Sequence, residues 1–404
     1  MRRLAGAVLI ILPIAAVACM RASAKDFYAT RPPFERPLPA QRVPRGLTSL
    51  SASECGRCHG EIYREWQQSV HAQAWSDVQF QAELAKQPGV GWLCVNCHTP
   101  LRNQIDSLVV SLSENDVERP LRRANTDFDP ALRPEGITCA ACHVRDGAVE
   151  GPFGDRRAPH AVRYNADFRS ADFCLRCHQA VQAYPGKNFV CTFQTGDEWR
   201  EGRHAQEGRI CQDCHMPAVE RALVAGGPIR RTGRHGWIGS RLRKGGETAP
   251  SLWDSLAALL PPGIELRVDP APAGETGTAA VWNVSALNAN AGHRLPTGDP
   301  ERGVVIHLEA VTAAGDTIAR AEHAIEQRYQ WTPVVRKLSD DRLSPGDSVT
   351  VTLRYRVPAG PYRLVASAIN SRISDANADY HRLPASYPRR VEVARVERPV
   401  PASP

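Results

Sequence analysis

Five times between Cys55 and His215 the chain repeats Cys-x-x-Cys-His: Cys55, Cys58 and His59; Cys94, Cys97 and His98; Cys139, Cys142 and His143; Cys174, Cys177 and His178; Cys211, Cys214 and His215. On a helical turn positions i, i+3 and i+4 share one face, so two thiols can reach the vinyl groups of one porphyrin with the histidine beneath its iron. This is the attachment signature of c-type haem. Zinc-binding pairs or disulfides would fix the cysteine spacing but place no demand on the next residue. Histidine is 13 of 404 residues, so five chance matches would arise at odds of roughly one in ten million or worse. The expected cofactors are five covalently attached c-type haems, with His59, His98, His143, His178 and His215 as proximal ligands.

The motifs start 39, 45, 35 and 37 residues apart. Such intervals are too short for each to bury a core of its own, so the porphyrins must be the core. Short helices carrying the motifs, joined by long loops such as 119–136 and 145–165, are the expected form of residues 51–245. Arg57, Arg145 and Arg176 stand near motifs, where a propionate partner and a plain solvated charge are both open readings. The length leaves room for a second domain with a conventional core. The formal charge of +7 and pI of about 8.9 would be countered by the haem propionates, so basicity makes no case for nucleic acid.

Residues 1–24 read as an export signal. Arg2 and Arg3 precede an apolar run from Leu4 to Ala18, too short to span a bilayer, and Ala22-Ser23-Ala24 offers a small-residue cleavage site. This segment holds three arginines and no acid, so its removal lowers the charge from +7 to +4. Cys19 is an alternative point of lipid anchoring, disfavoured by Ala16 where leucine is usual. Either outcome places the mature chain outside the cytoplasm, in the periplasm, where covalent haem attachment takes place in bacteria. Membrane association is expected only through lipidation at Cys19. Of twelve cysteines only Cys19 and Cys191 lie outside the motifs, which excludes a disulfide framework, and Cys191 reads as a small apolar core residue. Residues 25–50, rich in proline and arginine, read as an extended arm or linker.

Each iron has a second axial position. Two of the remaining histidines share a frame, Glu65-Trp66-x-x-x-x-His71-Ala72 and Glu198-Trp199-x-x-x-x-His204-Ala205. A repeat at that offset argues for a shared role, and both histidines are read as second ligands. His160, in a Pro/Gly-rich loop, and His235, in Thr232-Gly233-Arg234-His235-Gly236-Trp237, sit where a loop can bring a ligand across from another segment.

Beyond Leu260 the pattern changes. Residues 264–268, 279–287, 304–311, 349–357 and 362–369 alternate apolar and polar side chains with Gly, Pro and Asp at the joints. The fold class is therefore mixed: a haem-packed N-terminal domain of short α-helices and loops, then an immunoglobulin-like all-β sandwich of about seven strands over 260–395. His307 lies within a strand, and His323 and His381 have no motif context, so all three read as structural. His293 differs because it opens Gly292-His293-Arg294-Leu295-Pro296-Thr297-Gly298, a stiffened loop able to hold a side chain toward the haem domain.

At these residues the chain resembles the multihaem cytochromes c of the cytochrome c-554/c-552 type, from Ser51 to about Ile373. The carrying stretches are Cys55-Gly56-Arg57-Cys58-His59 through Glu65-Trp66 to His71-Ala72, then Gly136-Ile137-Thr138-Cys139, Phe173-Cys174 and Cys211-Gln212-Asp213-Cys214-His215-Met216-Pro217. The loop at 292–298 is similar to one in the β-domain of larger members, where such a histidine is thought to ligate a haem. The resemblance implies that most irons have two histidine ligands and that the haems form closely packed chains.

Two function classes remain. An electron carrier between redox protein partners needs no open iron, and five proximal histidines with His71, His160, His204, His235 and His293 would fill ten axial positions. That count favours a non-catalytic role and assigns no catalytic residue. A multihaem reductase of nitrite, hydroxylamine or a sulfur oxyanion needs one iron open. A family of pentahaem nitrite reductases marks that iron with lysine in place of the motif histidine, and all five motifs here end in histidine.

Overall fold

The computed structural model describes residues 23–155, 157–184, 187, 190–243, 252–271, 279–331 and 333–401. Residues 1–22, which hold Cys19 and most of the expected export signal, and the side chain of Cys191 lie outside the described residues. Among the described residues no helix is long and apolar enough to cross a membrane.

The motifs occupy short helical turns. Cys55 lies in the helix Ala52–Gly56, and the His59 amide donates to the Cys55 carbonyl at 2.9 Å, so the turn continues through the histidine. The other four lie in Gly91–His98, Cys139–His143, Asp172–His178 and Cys211–His215. Helices of five to eight residues do not stand alone in water, so these depend on what they pack against. The apolar clusters beside them are small. One joins Leu38, Leu50, Leu101 and Leu132 to Ala140, Ala141 and Val144, and another gathers Val90, Trp92, Leu93, Val109 and Val117.

Two expectations change here. The stretch 25–50 is not a free arm: Phe34, Leu38 and Leu50 are buried, and Leu38 bridges to Leu101. Its apolar residues are too sparse for periodicity but find partners in space. The segments 119–136 and 145–165 contain the short strands Pro120–Ala124, Ala148–Gly151 and Val162–Tyr164, whose pairing satisfies backbone groups that loops would leave to water.

Among the described residues the C-terminal part has eight strands: β1 Ile264–Pro270, β2 Ala279–Asn288, β3 Gly303–Thr312, β4 Thr317–Gln330, β5 Arg336–Asp340, β6 Ser348–Arg356, β7 Tyr362–Ser371 and β8 Arg390–Val400. They form two antiparallel sheets, β1-β2-β6 and β5-β4-β3-β7-β8. The inner faces enclose one core in which Val284, Ala286, Ile306, Leu308, Ile325, Leu364, Ala366 and Ala368 are wholly buried. Each large member contributes about 1.5–3 kcal/mol by leaving water, so this half has a conventional apolar core of its own. The strand count exceeds the expected seven because β4, β5 and β8 are dense in charge and hide their alternation.

The two halves meet through polar contacts. Arg342 and Glu198 form an ion pair with side chains 3% and 4% exposed, Arg372 donates to the Leu242 carbonyl at 2.9 Å, and the Tyr387 hydroxyl lies 3.2 Å from Gln79 Oε1.

Candidate haem-binding centre

A continuous cavity of about 3180 Å³ runs through the N-terminal half and along the domain junction. That is several times the roughly 300–1,000 Å³ of a single small-molecule site, as several large groups require. All ten motif cysteines, all five motif histidines and His71, His160, His204, His235 and His293 line it. The motif cysteines are free of disulfides, and among the described residues no group of three or more His, Cys, Asp or Glu could hold a bare ion. The donor set therefore fits porphyrin attachment, where each motif supplies two thiols and one imidazole.

The rings are prepared as ligands. His59, His98, His143 and His215 each donate Nδ1–H to a backbone carbonyl, of Leu223, Ala74, Glu150 and Ile238 respectively, at 2.8–2.9 Å. His235 and His293 do the same to Gly233 and Arg294 at 3.0 and 2.9 Å. Such a bond fixes the tautomer and leaves Nε2 as the metal-binding nitrogen. Burial pushes His178 and His293 down to about 4 and His235 to about 3, so these rings stay neutral.

Four pairs of rings stand at one spacing. His59 and His160 have centroids 6.5 Å apart, His71 and His178 6.3 Å, His143 and His235 6.3 Å, and His215 and His293 6.2 Å. Two imidazoles that held one metal between them through bonds of about 2.0–2.1 Å, with roughly 1.1 Å from each nitrogen to its ring centre, would have ring centres about 6.3 Å apart. Each pair thus leaves room for one iron between its rings. Glycine backbones permit two of these approaches. At Gly136, with φ +58°, an added Cβ would meet the His71 carbonyl at 2.6 Å, and at Gly46, with φ +96°, it would meet the Pro159 carbonyl beside His160.

His98 and His204 are placed differently. The His98 ring lies flat on Phe80, with centroids 3.7 Å apart and planes at 6°. His204 is not one of the four pairs. Its Nδ1 lies 3.2 Å from Glu207, and its ring packs against Gly292, in the loop that carries His293. The two histidines of the Glu-Trp frames are therefore placed differently, His71 opposite the motif histidine His178 and His204 beside Glu207 and Gly292.

The motifs are ordered in space, not by sequence. The thiols of Cys55 and Cys139, of Cys97 and Cys177, and of Cys174 and Cys211 are near enough to perturb one another. The third motif also approaches the fourth through Cys142 and Cys177. The first motif thus neighbours the third, and the fourth neighbours the third, the second and the fifth.

Several positioning residues escaped the sequence reading. Trp237 lies 4.6 Å from the His71 ring and 5.1 Å from that of His235. Asn288, fully buried at the end of β2, donates Nδ2–H to the carbonyls of His293 and Leu343 at 3.0 and 2.9 Å, fixing the loop. His381 also lines the cavity. Of the motif arginines, Arg57 is exposed and paired with Glu54, whereas Arg145 and Arg176 donate to the Ala141 and Arg36 carbonyls.

Glu301 is the acid most altered by this setting. Burial first, then nearby Asp299 and Glu83, push its carboxyl up to about 8. An acid raised above its ordinary 4.5 keeps a proton that the unfolded chain releases, so its contribution is full below about pH 4.5 and lost as pH rises to about 8. Glu301→Gln is expected to flatten the fall in melting temperature across that window. A profile parallel to that of the parent protein would show that Glu301 ionises freely.

Residues 54–144 match the family described as cytochrome c554 and c-prime. A pentahaem cytochrome c552 from Thermochromatium tepidum has a similar fold, with a TM-score of 0.61 and 20% identity over 88% of this chain and 100% of that one. A glycosyl hydrolase family 2 member from Bacteroides cellulosilyticus overlaps 34% of this chain and 13% of its own, with 15% identity and a TM-score of 0.20, and bears on nothing here. Five Cys-x-x-Cys-His turns thus line one cavity, the family match spans the first three of them, and the chain as a whole shares its fold with a multihaem cytochrome of the cytochrome c-554/c-552 type.

Proposed function

We propose that this cytochrome is exported and passes electrons between redox protein partners through five covalently attached haems. The observation that carries the reading is the set of four histidine pairs at 6.2–6.5 Å, each spaced to close an iron on both sides. When bound, haem supplies a one-electron iron couple. The chain's own residues attach it through the motif thiols, orient the imidazoles through their Nδ1 bonds and exclude water by burial. A closed iron cannot take up substrate, so the paired centres support outer-sphere transfer. The adjacency of each motif to at least one other around a single cavity supports a continuous route. The leader at 1–24 supports export.

Intact mass and electron paramagnetic resonance of the oxidised protein test this. Five haem additions and at least four low-spin irons are expected. Fewer than five additions would remove the stoichiometry, and fewer than four low-spin irons would replace the carrier with a reductase that binds substrate at an open iron.

A further inference from the structure

The frame Glu-Trp-x-x-x-x-His-Ala occurs twice, yet its two histidines are placed differently, so the reason for the recurrence lies in its first two residues. The Trp66 indole donates to the carbonyl of Ile137 at 2.9 Å, two residues ahead of Cys139. The Trp199 indole donates to the carbonyl of Arg209 at 3.0 Å, again two residues ahead of a motif cysteine, Cys211. Each tryptophan thus grips the backbone that enters a haem-attachment turn, at the same offset.

The carboxylates reach the other side of the same two centres. Glu65, with no exposed surface, accepts from the His235 backbone N–H at 2.8 Å and from Arg234 Nη1 at 2.7 Å, while Arg221 binds both its oxygens at 2.9 and 3.2 Å. His235 is the ring opposite His143, in the motif that Trp66 grips. Glu198, equally buried, accepts from the Thr297 hydroxyl at 2.5 Å and from Arg342. Arg342 also donates to the Pro296 carbonyl, and Thr297 and Pro296 belong to the loop of His293. His293 is the ring opposite His215, in the motif that Trp199 grips.

We infer that Glu65-Trp66 and Glu198-Trp199 are one repeated positioning device: the indole holds the backbone entering a Cys-x-x-Cys-His turn, and the carboxylate holds the segment presenting the histidine opposite that turn's own. The device sets the distance and angle between two rings brought from distant parts of the chain. A tryptophan ring is stiff and has one donor, and a buried carboxylate accepts several hydrogen bonds, so together they hold two other segments of the chain against one helix. The first copy does this within the haem domain. The second does it across the domain junction, which ties the sandwich to the fifth motif.

The inference rests on reading His235 and His293 as axial ligands, and the experiment separates the two ideas. His235→Ala and His293→Ala first identify the low-spin resonance belonging to each iron. Glu65→Gln is then expected to shift the g-values and midpoint potential of the iron that His235→Ala altered, and of no other. Glu198→Gln is expected to act only on the iron that His293→Ala altered. Trp66→Phe and Thr297→Val are milder partners that divide in the same way and serve where a buried glutamine prevents maturation, with haem count per chain as the check. If the histidine variants leave every resonance unchanged, the axial reading fails. If they convert one iron each, but the glutamate, tryptophan and threonine variants leave those irons unmoved or disturb all alike, the positioning device is overturned.

Discussion

Replacing His293 by alanine is expected to convert one haem from low to high spin while every haem remains attached. Attachment at the fifth motif uses only Cys211 and Cys214, so stoichiometry is indifferent to the sandwich. The second imidazole is another matter. His293 stands 6.2 Å from His215 with ring planes at 7°, and Asn288 and the Arg294 carbonyl hold it there. Its loss opens that iron to water and, when reduced, to carbon monoxide. The midpoint potential of that haem should rise by on the order of 100 mV, a fraction of the roughly 0.8 V that axial ligation commands. Carbon monoxide titration of the reduced variant, read against the parent protein, gives the answer. An added binding equivalent supports a haem shared between domains, and an identical titration would reduce His293 to a turn residue.

The second large effect is on stability. Arg342→Met should leave Glu198 buried and negative, with its remaining oxygen bonded to Thr297. Breaking a buried ion pair from one side costs about 3–5 kcal/mol, because the stranded charge keeps its desolvation penalty. Asp340 adds to the loss. Burial alone would raise its carboxyl, but hydrogen bonds from Arg342 and Lys337 hold it well below the ordinary value. A fall in melting temperature on the order of 10 °C follows from these magnitudes. Adding Glu198→Leu to Arg342→Met removes the uncompensated charge and should recover most of the loss, since an apolar pair of similar volume often replaces a buried ion pair at little cost. Calorimetry of the single and double variants checks this. A single variant as stable as the parent would mean that water reaches Glu198 and that the junction is not dry.

By itself the sequence determined everything that is local. Two thiols and a histidine within five positions are sufficient for one haem attachment, so Cys55 to His215 could be read directly, as could the change from helical turns to alternating strands near Leu260. The histidines that face the motif rings were half legible. Loop context and the Gly292–Gly298 stretch picked out His160, His235 and His293, and each now stands opposite a motif histidine. Which motif each would meet was not legible, because the paired rings lie 78 to 107 positions apart in the chain. No spacing rule acts over that distance, and pairing waits on how the short helices pack. The repeated Glu-Trp frame shows the same limit from the other side. Its recurrence was plain in the sequence, but the histidine drew the assignment because histidine binds metal. Only the tertiary structure decided that Glu65 reaches the His235 backbone and Glu198 the side chains of Thr297 and Arg342, since a buried carboxylate reveals its partners only where the chain has brought their N–H, hydroxyl and guanidinium groups to it.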